Sequence, residues 1–179
     1  SYTHKLLSGR EDRFFTLRQR NGISGFPKRT ESKYDSYDTG HAGTSISAAL
    51  GIAKARDLKG ENFQVIALIG DGSLNNGLVY EALNSLKILN TNILIVLNDN
   101  GMSISPTVGG THEVLDEMKG AEVPTEDIAL FERYGLQYMG IYNGNDLEEV
   151  LPALERAKKA LKTGSVLLHV TTRKGQGYA

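Results

Sequence analysis

Cysteine and tryptophan are absent from this chain of 179 residues, and proline occurs only 4 times. Without cysteine, the chain can form neither a disulfide framework nor a thiol-based catalytic or metal site. No apolar run approaches the ~20 residues that a membrane-spanning helix needs, and no signal peptide is recognisable. A net charge of −1 at pH 7 provides no overall field that would attract nucleic acid or a membrane surface. These absences predict a cytoplasmic protein that has no nucleic-acid or membrane partner.

The composition is that of an ordinary globular domain, with 40% hydrophobic and 23% charged residues. Apolar, β-branched runs alternate along the chain with stretches of helical periodicity. This alternation predicts an α/β fold with a doubly wound, mostly parallel sheet and helices on both of its faces. The predicted strands are residues 65–69, 93–97, 136–141 and 166–171. The predicted helices are residues 44–58, 76–89 and 125–134, and a fourth that starts at Asp146 and stops at Gly164.

The remaining segments are predicted to be irregular. Residues 1–40 are interrupted by glycine, proline and polar clusters, and should form loops with short helical pieces. Residues 103–124 show no sustained periodicity. In the fourth helix, Asp146 and Glu149 have the spacing of a capping box, and Leu147 and Leu151 should belong to its buried stripe. We expect residues 1–179 to form a single domain.

Two short polar motifs directly follow the first two predicted strands. Asp71 lies in Gly-Asp-Gly-Ser at residues 70–73, and Asn100 lies in Asn-Asp-Asn at residues 98–100. Open α/β sheets bind ligands at the carboxyl ends of their strands, which is where both side chains should lie. A carboxylate and an amide carbonyl are hard oxygen ligands that suit Mg²⁺, which completes its shell with phosphate oxygens and water. The pair therefore predicts a metal site at this edge of the sheet.

The residues around Asp71 suit an anion. Gly70 and Gly72 allow the backbone to approach a ligand closely. Ser73 should stand where the next helix begins, so that free N–H groups and the positive helix end face the anion. Each motif alone is also compatible with a simple turn or strand exit. Their combination, with a strand before each and a helix between them, favours a site for a metal diphosphate.

This combination of motifs resembles a known family. Gly-Asp-Gly with a downstream Asn-Asp-Asn is similar to the thiamine diphosphate signature of the transketolase-like enzymes. Within that group the chain most resembles the 1-deoxy-D-xylulose-5-phosphate synthase family, and the resemblance runs nearly from end to end. The segments that carry it are residues 4–10, 24–32, 40–48, 98–105 and 174–179.

The resemblance implies thiamine diphosphate and Mg²⁺ as cofactors and gives individual residues a role. Asp71, Asn100 and the backbone carbonyl of Met102 would bind the metal. His41 would orient the diphosphate or move a proton near the reacting carbon, although it could instead merely cap the helix that begins near Thr44. The residues implied in cofactor binding are Gly40, His41, Ala42, Gly72, Ser73, Asn100, Met102, Ile104 and Tyr178.

The resemblance also implies a transferase activity. Pyruvate would condense with glyceraldehyde 3-phosphate, with loss of carbon dioxide, to 1-deoxy-D-xylulose 5-phosphate, which supplies isoprenoid precursor, thiamine and pyridoxal biosynthesis. The alternatives are the N-terminal half of a split transketolase and a non-catalytic thiamine diphosphate-binding module. A nucleotide P-loop is disfavoured, because no Gly-Lys-Ser/Thr follows the glycines.

The chain is expected to be a fragment of a larger protein. Family members carry a long insertion where this chain has only residues 111–125, so the insertion is deleted or missing near residues 110–125. The resemblance places the aminopyrimidine-binding domain, with the glutamate that protonates the cofactor, outside this chain. We therefore expect that domain as a partner, a homodimer as the assembly, and cofactor binding without complete turnover.

Overall fold

The computed structural model describes residues 1–120 and 125–178. The chain forms two compact units, Ser1–Ala42 and Gly43–Ala179. The first unit begins with helix α1 (Tyr2–Lys5), which is followed by a segment, Leu6–Arg10, that is kinked at Ser8 and Gly9, and by a 3-10 helix, Glu11–Thr16. Turns and extended segments make up the rest of this unit. The prediction that residues 1–179 form a single domain stays a prediction.

Buried charges are paired inside the first unit. Arg10 and Asp35, which are 3% and 4% exposed, form a two-pronged ion pair with N–O distances of 2.6 and 2.8 Å. The fully buried Lys5 donates to Glu31 over 2.6 Å, and His4 lies 2.8 Å from Asp35. Both carboxylates also accept a backbone N–H. Because a charge buried without a partner is costly, we expect the stability of this unit to depend on the network.

The second unit is built on a four-stranded parallel sheet. Its strands are β1 (Ile66–Gly70), β2 (Leu94–Asp99), β3 (Leu136–Asn143) and β4 (Ser165–Thr171). Their order across the sheet is β1-β2-β4-β3, and every pairing is parallel. The central strands β2 and β4 are nearly continuous apolar runs, as expected for strands that are covered on both faces. The predicted parallel α/β sheet is confirmed.

Helices connect the strands of the second unit. In its described part they are α2 (Ser45–Lys59), α3 (Asp71–Leu74), α4 (Gly77–Leu89), α5 (Gly110–Met118), α6 (Thr125–Arg133) and α7 (Leu147–Ala160). Helix α4 has clear end signals, because the side chain of Asn76 accepts the N–H of Leu78 and Asn90 ends the helix in the left-handed conformation. None of the described helices is both long enough and apolar enough to span a bilayer.

Helices lie on both faces of the sheet, as predicted, although Ile66 and Leu68 on one side of β1 remain 58% and 67% exposed. The larger core lies between one face and helices α2, α4 and α6, and its members include Leu50, Leu83, Ile95, Leu97 and Phe131. The smaller core lies between the opposite face and α7, and its members include Leu94, Ala153, Ala157, Val166 and Leu168. The carboxyl ends of β1 and β2 lie side by side at one edge of the sheet, where the loops that follow them begin.

The prediction that residues 103–124 are irregular was wrong for Gly110–Met118, which form α5. Leu115 and Met118, spaced by three residues, are buried, and His112 pairs with Asp116 over 3.3 Å one turn further on. A helix of 9 residues with so narrow an apolar edge offers too few repeats for its periodicity to stand out. Residues 121–124, which belong to the same prediction, lie outside the described residues.

Two predicted details of α7 were also wrong. Leu147 and Leu151 are 68% and 55% exposed, because the alanines on the other side of the helix face the sheet. Asp146 caps the helix by accepting the N–H of Glu148 over 2.9 Å, as predicted. Glu149, however, accepts the N–H of Asn143 rather than that of Asp146, so no capping box forms.

Candidate functional site

Asp71 and Asn100 meet at one corner of the sheet. Gly70 of β1 is paired in register with Asn98 of β2, so the residues that follow these strands emerge side by side. The backbone N–H of Asn100 lies 3.4 Å from Oδ1 of Asp71 and donates to it. Two residues chosen from their position after a strand are therefore direct neighbours in the fold.

The carboxylate of Asp71 is almost completely buried and is held from two sides. It is 1% exposed, and its Oδ2 accepts the hydroxyl of Thr107 over 2.9 Å. The backbone N–H of Asn100 donates to Oδ1 of Asp71, so each carboxylate oxygen has one donor and retains a free lone pair. Sequence reasoning missed Thr107, because a single threonine in a loop carries no spacing signal that links it to Asp71.

The loop after β2 closes on itself through a series of short-range hydrogen bonds. Oδ1 of Asn100 accepts the N–H of Met102 over 3.0 Å, and the N–H of Thr107 donates to the carbonyl of Gly101 over 3.1 Å. Met102 and Pro106 face each other as an isolated antiparallel pair. Gly101 has φ +67°, a conformation that glycine adopts without strain. The loop that carries Asn100 and Met102 is thus a defined turn.

The predicted anion-binding residues lie next to this loop. A Cβ on Gly72 would come within 2.8 Å of Cβ of Ser103, so only glycine fits between the two segments. Ser73 lies inside the one-turn helix α3, which begins at Asp71, so the prediction that a helix begins at Ser73 was displaced by two residues. Ile104 projects from the loop and is 99% exposed.

The oxygen atoms at this corner fit a magnesium ion in their chemistry. In the part of the chain that the structure describes, no three histidine or acidic side chains gather where a metal could sit. A metal here would therefore take the single carboxylate of Asp71 together with neutral oxygens from Asn100 and the backbone. Mg²⁺ is commonly held by one or two carboxylates, with phosphate oxygens and water in its remaining positions.

The other predicted site residues lie elsewhere in the chain. Gly40, His41 and Ala42 belong to the first unit and are exposed. Tyr178 lies beyond β4, where its N–H donates to the carbonyl of Gly175, and its side chain is 91% exposed. The roles predicted for these four residues stay predictions.

The fold is that of a parallel α/β protein, and the oxygen-rich corner at the carboxyl edge of its sheet is the candidate ligand site. The chain belongs to the 1-deoxy-D-xylulose-5-phosphate synthase family, whose sequence model matches residues 1–126 and 118–172. The 1-deoxy-D-xylulose-5-phosphate synthase of Listeria monocytogenes is 46% identical over 183 residues, which cover 99% of this chain and 30% of the relative. The synthase of Clostridium acetobutylicum is 41% identical over 213 residues and covers 100% of this chain and 34% of the relative.

A solved structure shares the fold. It is described as a thiamin diphosphate-dependent enzyme isolated from Mycobacterium smegmatis, and it matches with a TM-score of 0.53 and 24% identity over 75% of this chain and 23% of that one. The chain spans about a third of the length of the curated relatives it matches. The activity and partners of a whole synthase are therefore proposals for this chain.

Proposed function

We propose that this chain is the diphosphate- and Mg²⁺-binding domain of an enzyme that condenses pyruvate with glyceraldehyde 3-phosphate, with loss of carbon dioxide, to 1-deoxy-D-xylulose 5-phosphate. The observation that carries the proposal is the corner where Asn100 donates its N–H to the buried Asp71. The family of the chain supports the reaction, and the carboxyl edge of a parallel sheet supports a ligand site at that corner.

The proposed metal ligands are the carboxylate of Asp71, the side-chain oxygen of Asn100 and the carbonyl of Met102. Oδ1 of Asn100 already accepts the N–H of Met102, and its second lone pair remains available to a cation. Gly72 and Ser73 would contact the diphosphate. Bound thiamine diphosphate supplies the ring that stabilises a carbanion, which lets a 2-oxo acid lose carbon dioxide.

The remaining predicted residues would act around the cofactor. His41 would orient the diphosphate or hold a proton, and Gly40 and Ala42 would contact the cofactor beside it. Met102 and Ile104 would cover the cofactor's ring, which would remove the exposure of the Ile104 side chain from water. Tyr178 would contribute a further contact from the segment after β4.

The proposed assembly contains more than this chain. An aminopyrimidine-binding domain would complete the site, and the complete enzyme would be a cytoplasmic homodimer. The alignment with the Clostridium acetobutylicum relative extends over 213 positions, more than the 179 residues of the chain. The family model matches in two parts that meet at residues 118–126, which supports an insertion in relatives near that point.

Two other functions stay open as alternatives: half of a split transketolase and a non-catalytic cofactor-binding module. The names of the curated relatives favour the synthase over both. When completed with the remaining domains of a relative, a synthase would use pyruvate, whereas a transketolase would use a ketose phosphate.

The proposal is tested by titrating the chain with thiamine diphosphate in a calorimeter, with Mg²⁺ present or with the metal removed by EDTA. We expect saturable binding that disappears with EDTA, because the diphosphate would be held largely through the metal. Mg²⁺–ATP should not displace the cofactor, since the chain lacks a P-loop lysine. The proposal would be contradicted if Mg²⁺–ATP bound more tightly than thiamine diphosphate, or if EDTA left the binding of thiamine diphosphate unchanged.

Replacing Thr107→Val should weaken metal binding about 10-fold, as is typical when a group that orients a metal ligand is removed. The change keeps the side-chain volume and deletes the hydroxyl that holds Oδ2 of Asp71. Binding of Mn²⁺ in the presence of thiamine diphosphate can be followed by electron paramagnetic resonance. Thr107→Ser keeps the hydroxyl and should bind Mn²⁺ about as tightly as the unaltered chain.

Thr111→Val is the matched control, because its hydroxyl bonds to Tyr80 over 2.7 Å and not to Asp71. This variant should bind Mn²⁺ as the unaltered chain does. If both valine variants lost affinity equally, the contact between Thr107 and Asp71 would have no specific role in the metal site.

A further inference from the structure

A second buried carboxylate lies directly beside the proposed metal ligand. Asp99 is the last residue of β2, precedes Asn100 and is 1% exposed. Its Oδ2 lies 3.1 Å from Nε2 of His169 and 2.9 Å from Nζ of Lys119. Its Oδ1 accepts the N–H of Gly101 over 3.1 Å. Oδ2 is therefore held by His169 on β4 and by Lys119 after α5, and Oδ1 holds the loop that carries Asn100.

His169 connects this carboxylate to the neighbouring strand. It is fully buried on β4, and its Nδ1 lies 2.9 Å from the hydroxyl of Tyr138 on β3. With the proton on Nε2, the ring of His169 donates to Asp99 and accepts from Tyr138, so both of its ring nitrogens have a hydrogen-bond partner. Burial, and after it the charge of Asp99, raises the pKa of Tyr138, which keeps its hydroxyl a donor.

Lys119 supplies the positive charge. It follows α5 and bridges Asp99 and Asp116, the latter over 2.8 Å. Nζ of Lys119 and Nε2 of His169 contact the same oxygen of Asp99 from two directions and hold the carboxylate in place. The carboxylate is thus a charged, fixed acceptor for the N–H of Gly101.

We propose that His169, Tyr138 and Lys119 are positioning residues that act through Asp99 to hold the loop of residues 100–102 in the geometry that binds the metal. The inference rests on the proposed function, because it assigns these residues to the same site. His169 has no exposed surface and cannot touch a ligand, so its effect reaches the metal only through Asp99 and Gly101.

The same strand offers a matched control at its other end. Ser165 begins β4, is 4% exposed, donates its hydroxyl to the carbonyl of Thr91 and accepts the N–H of Ile93. Ser165→Ala removes two buried hydrogen bonds from β4, as a change at His169 does, but at the amino edge of the sheet. A general loss of stability would therefore affect both variants, and a positioning role only one.

The experiment compares His169→Phe, His169→Gln and Ser165→Ala in the full 179-residue chain. Amide hydrogen exchange of Gly101 is measured by NMR without metal, and binding of Mn²⁺ with thiamine diphosphate by paramagnetic resonance. We expect His169→Phe to speed the exchange of Gly101 at least 10-fold beyond its change in global stability and to weaken Mn²⁺ binding about 10- to 100-fold. His169→Gln keeps a donor toward Asp99 and should recover most of both effects.

The proposal is overturned if His169→Phe and Ser165→Ala change Gly101 exchange and Mn²⁺ binding in equal measure. Should His169→Phe fail to fold, Lys119→Met and Tyr138→Phe remove single partners with less loss of packing and carry the same expectation at smaller size. If the unaltered chain bound no Mn²⁺ with the cofactor, the proposed function would fail, whereas Gly101 exchange would still decide the positioning role.

Discussion

Asp71→Asn should reduce the affinity for Mg²⁺ and thiamine diphosphate at least 100-fold while leaving the fold intact. The amide can replace the carboxylate in its local contacts, because its oxygen can accept the N–H of Asn100 and its NH₂ can donate to the hydroxyl of Thr107. What is lost is the negative charge. Two unit charges 4 Å apart attract by about 4 kcal/mol near a protein surface, which is roughly three orders of magnitude in affinity.

Calorimetric titration of the variant with thiamine diphosphate in the presence of Mg²⁺ measures this loss of affinity, and urea unfolding shows whether the variant is folded. Asp57→Asn is the control, because it removes one carboxylate from the same unit at the opposite edge of the sheet, where Asp57 accepts the hydroxyl of Thr91. This control should bind the metal cofactor normally. Unchanged affinity in Asp71→Asn would rule out the carboxylate as the metal ligand.

Asp35→Ala should destabilise the first unit by about 3–5 kcal/mol, the usual cost of leaving a buried charge without its partner. The change removes both contacts of Arg10 with Asp35. The buried guanidinium keeps its 2.6 Å hydrogen bond to the hydroxyl of Ser8, but its only remaining ion pair is the longer 3.5 Å contact with Glu31. Since a whole domain is stable by about 5–15 kcal/mol, this loss is large enough to unfold the unit locally. Hydrogen exchange of peptides from residues 1–42 reports it directly.

Asp38→Ala provides the matched control within the same unit. Asp38 and Arg29 form an exposed pair with an N–O distance of 3.8 Å, and such pairs contribute about 0–1 kcal/mol. Exchange in residues 1–42 should therefore change little in this variant. Equal protection in the Asp35 and Asp38 variants would mean that the buried network does not stabilise the unit.

Acid should act on the same network. Arg10, through its hydrogen bonds and charge, holds the pKa of Asp35 far below its ordinary value. Burial would raise the pKa of Glu31, but Lys5, the N–H of Ser24 and the charge of Arg10 together lower it. A carboxylate with a depressed pKa in the folded state stabilises it above its unfolded pKa of about 4, and this contribution is lost as the pH falls toward the folded pKa. Protection of residues 1–42 should decline below about pH 4, and Asp35→Ala should flatten that decline.

Much of the fold and the centre of the candidate site could be predicted because their signals are local. Alternating apolar runs indicated the parallel strands, and in a parallel sheet the residues that follow neighbouring strands share one edge. Asp71 and Asn100 could therefore be paired before any coordinate was known. Where a signal was short or two-sided, as in α5 or at Leu151, local patterns were insufficient.

Local patterns in the chain were enough to predict the α/β class, the order of the four strands and of helices α2, α4, α6 and α7, and the two strand-end motifs, since periodicity and turn chemistry act over a few residues. Which distant groups support those motifs became visible only in the folded chain. Thr107 and Asp71 are 36 positions apart, Asp99 and His169 are 70 apart, and Arg10 and Asp35 are 25 apart. Such pairs arise when burial forces each polar group to find a partner, and that partner is chosen by the packing of the whole chain.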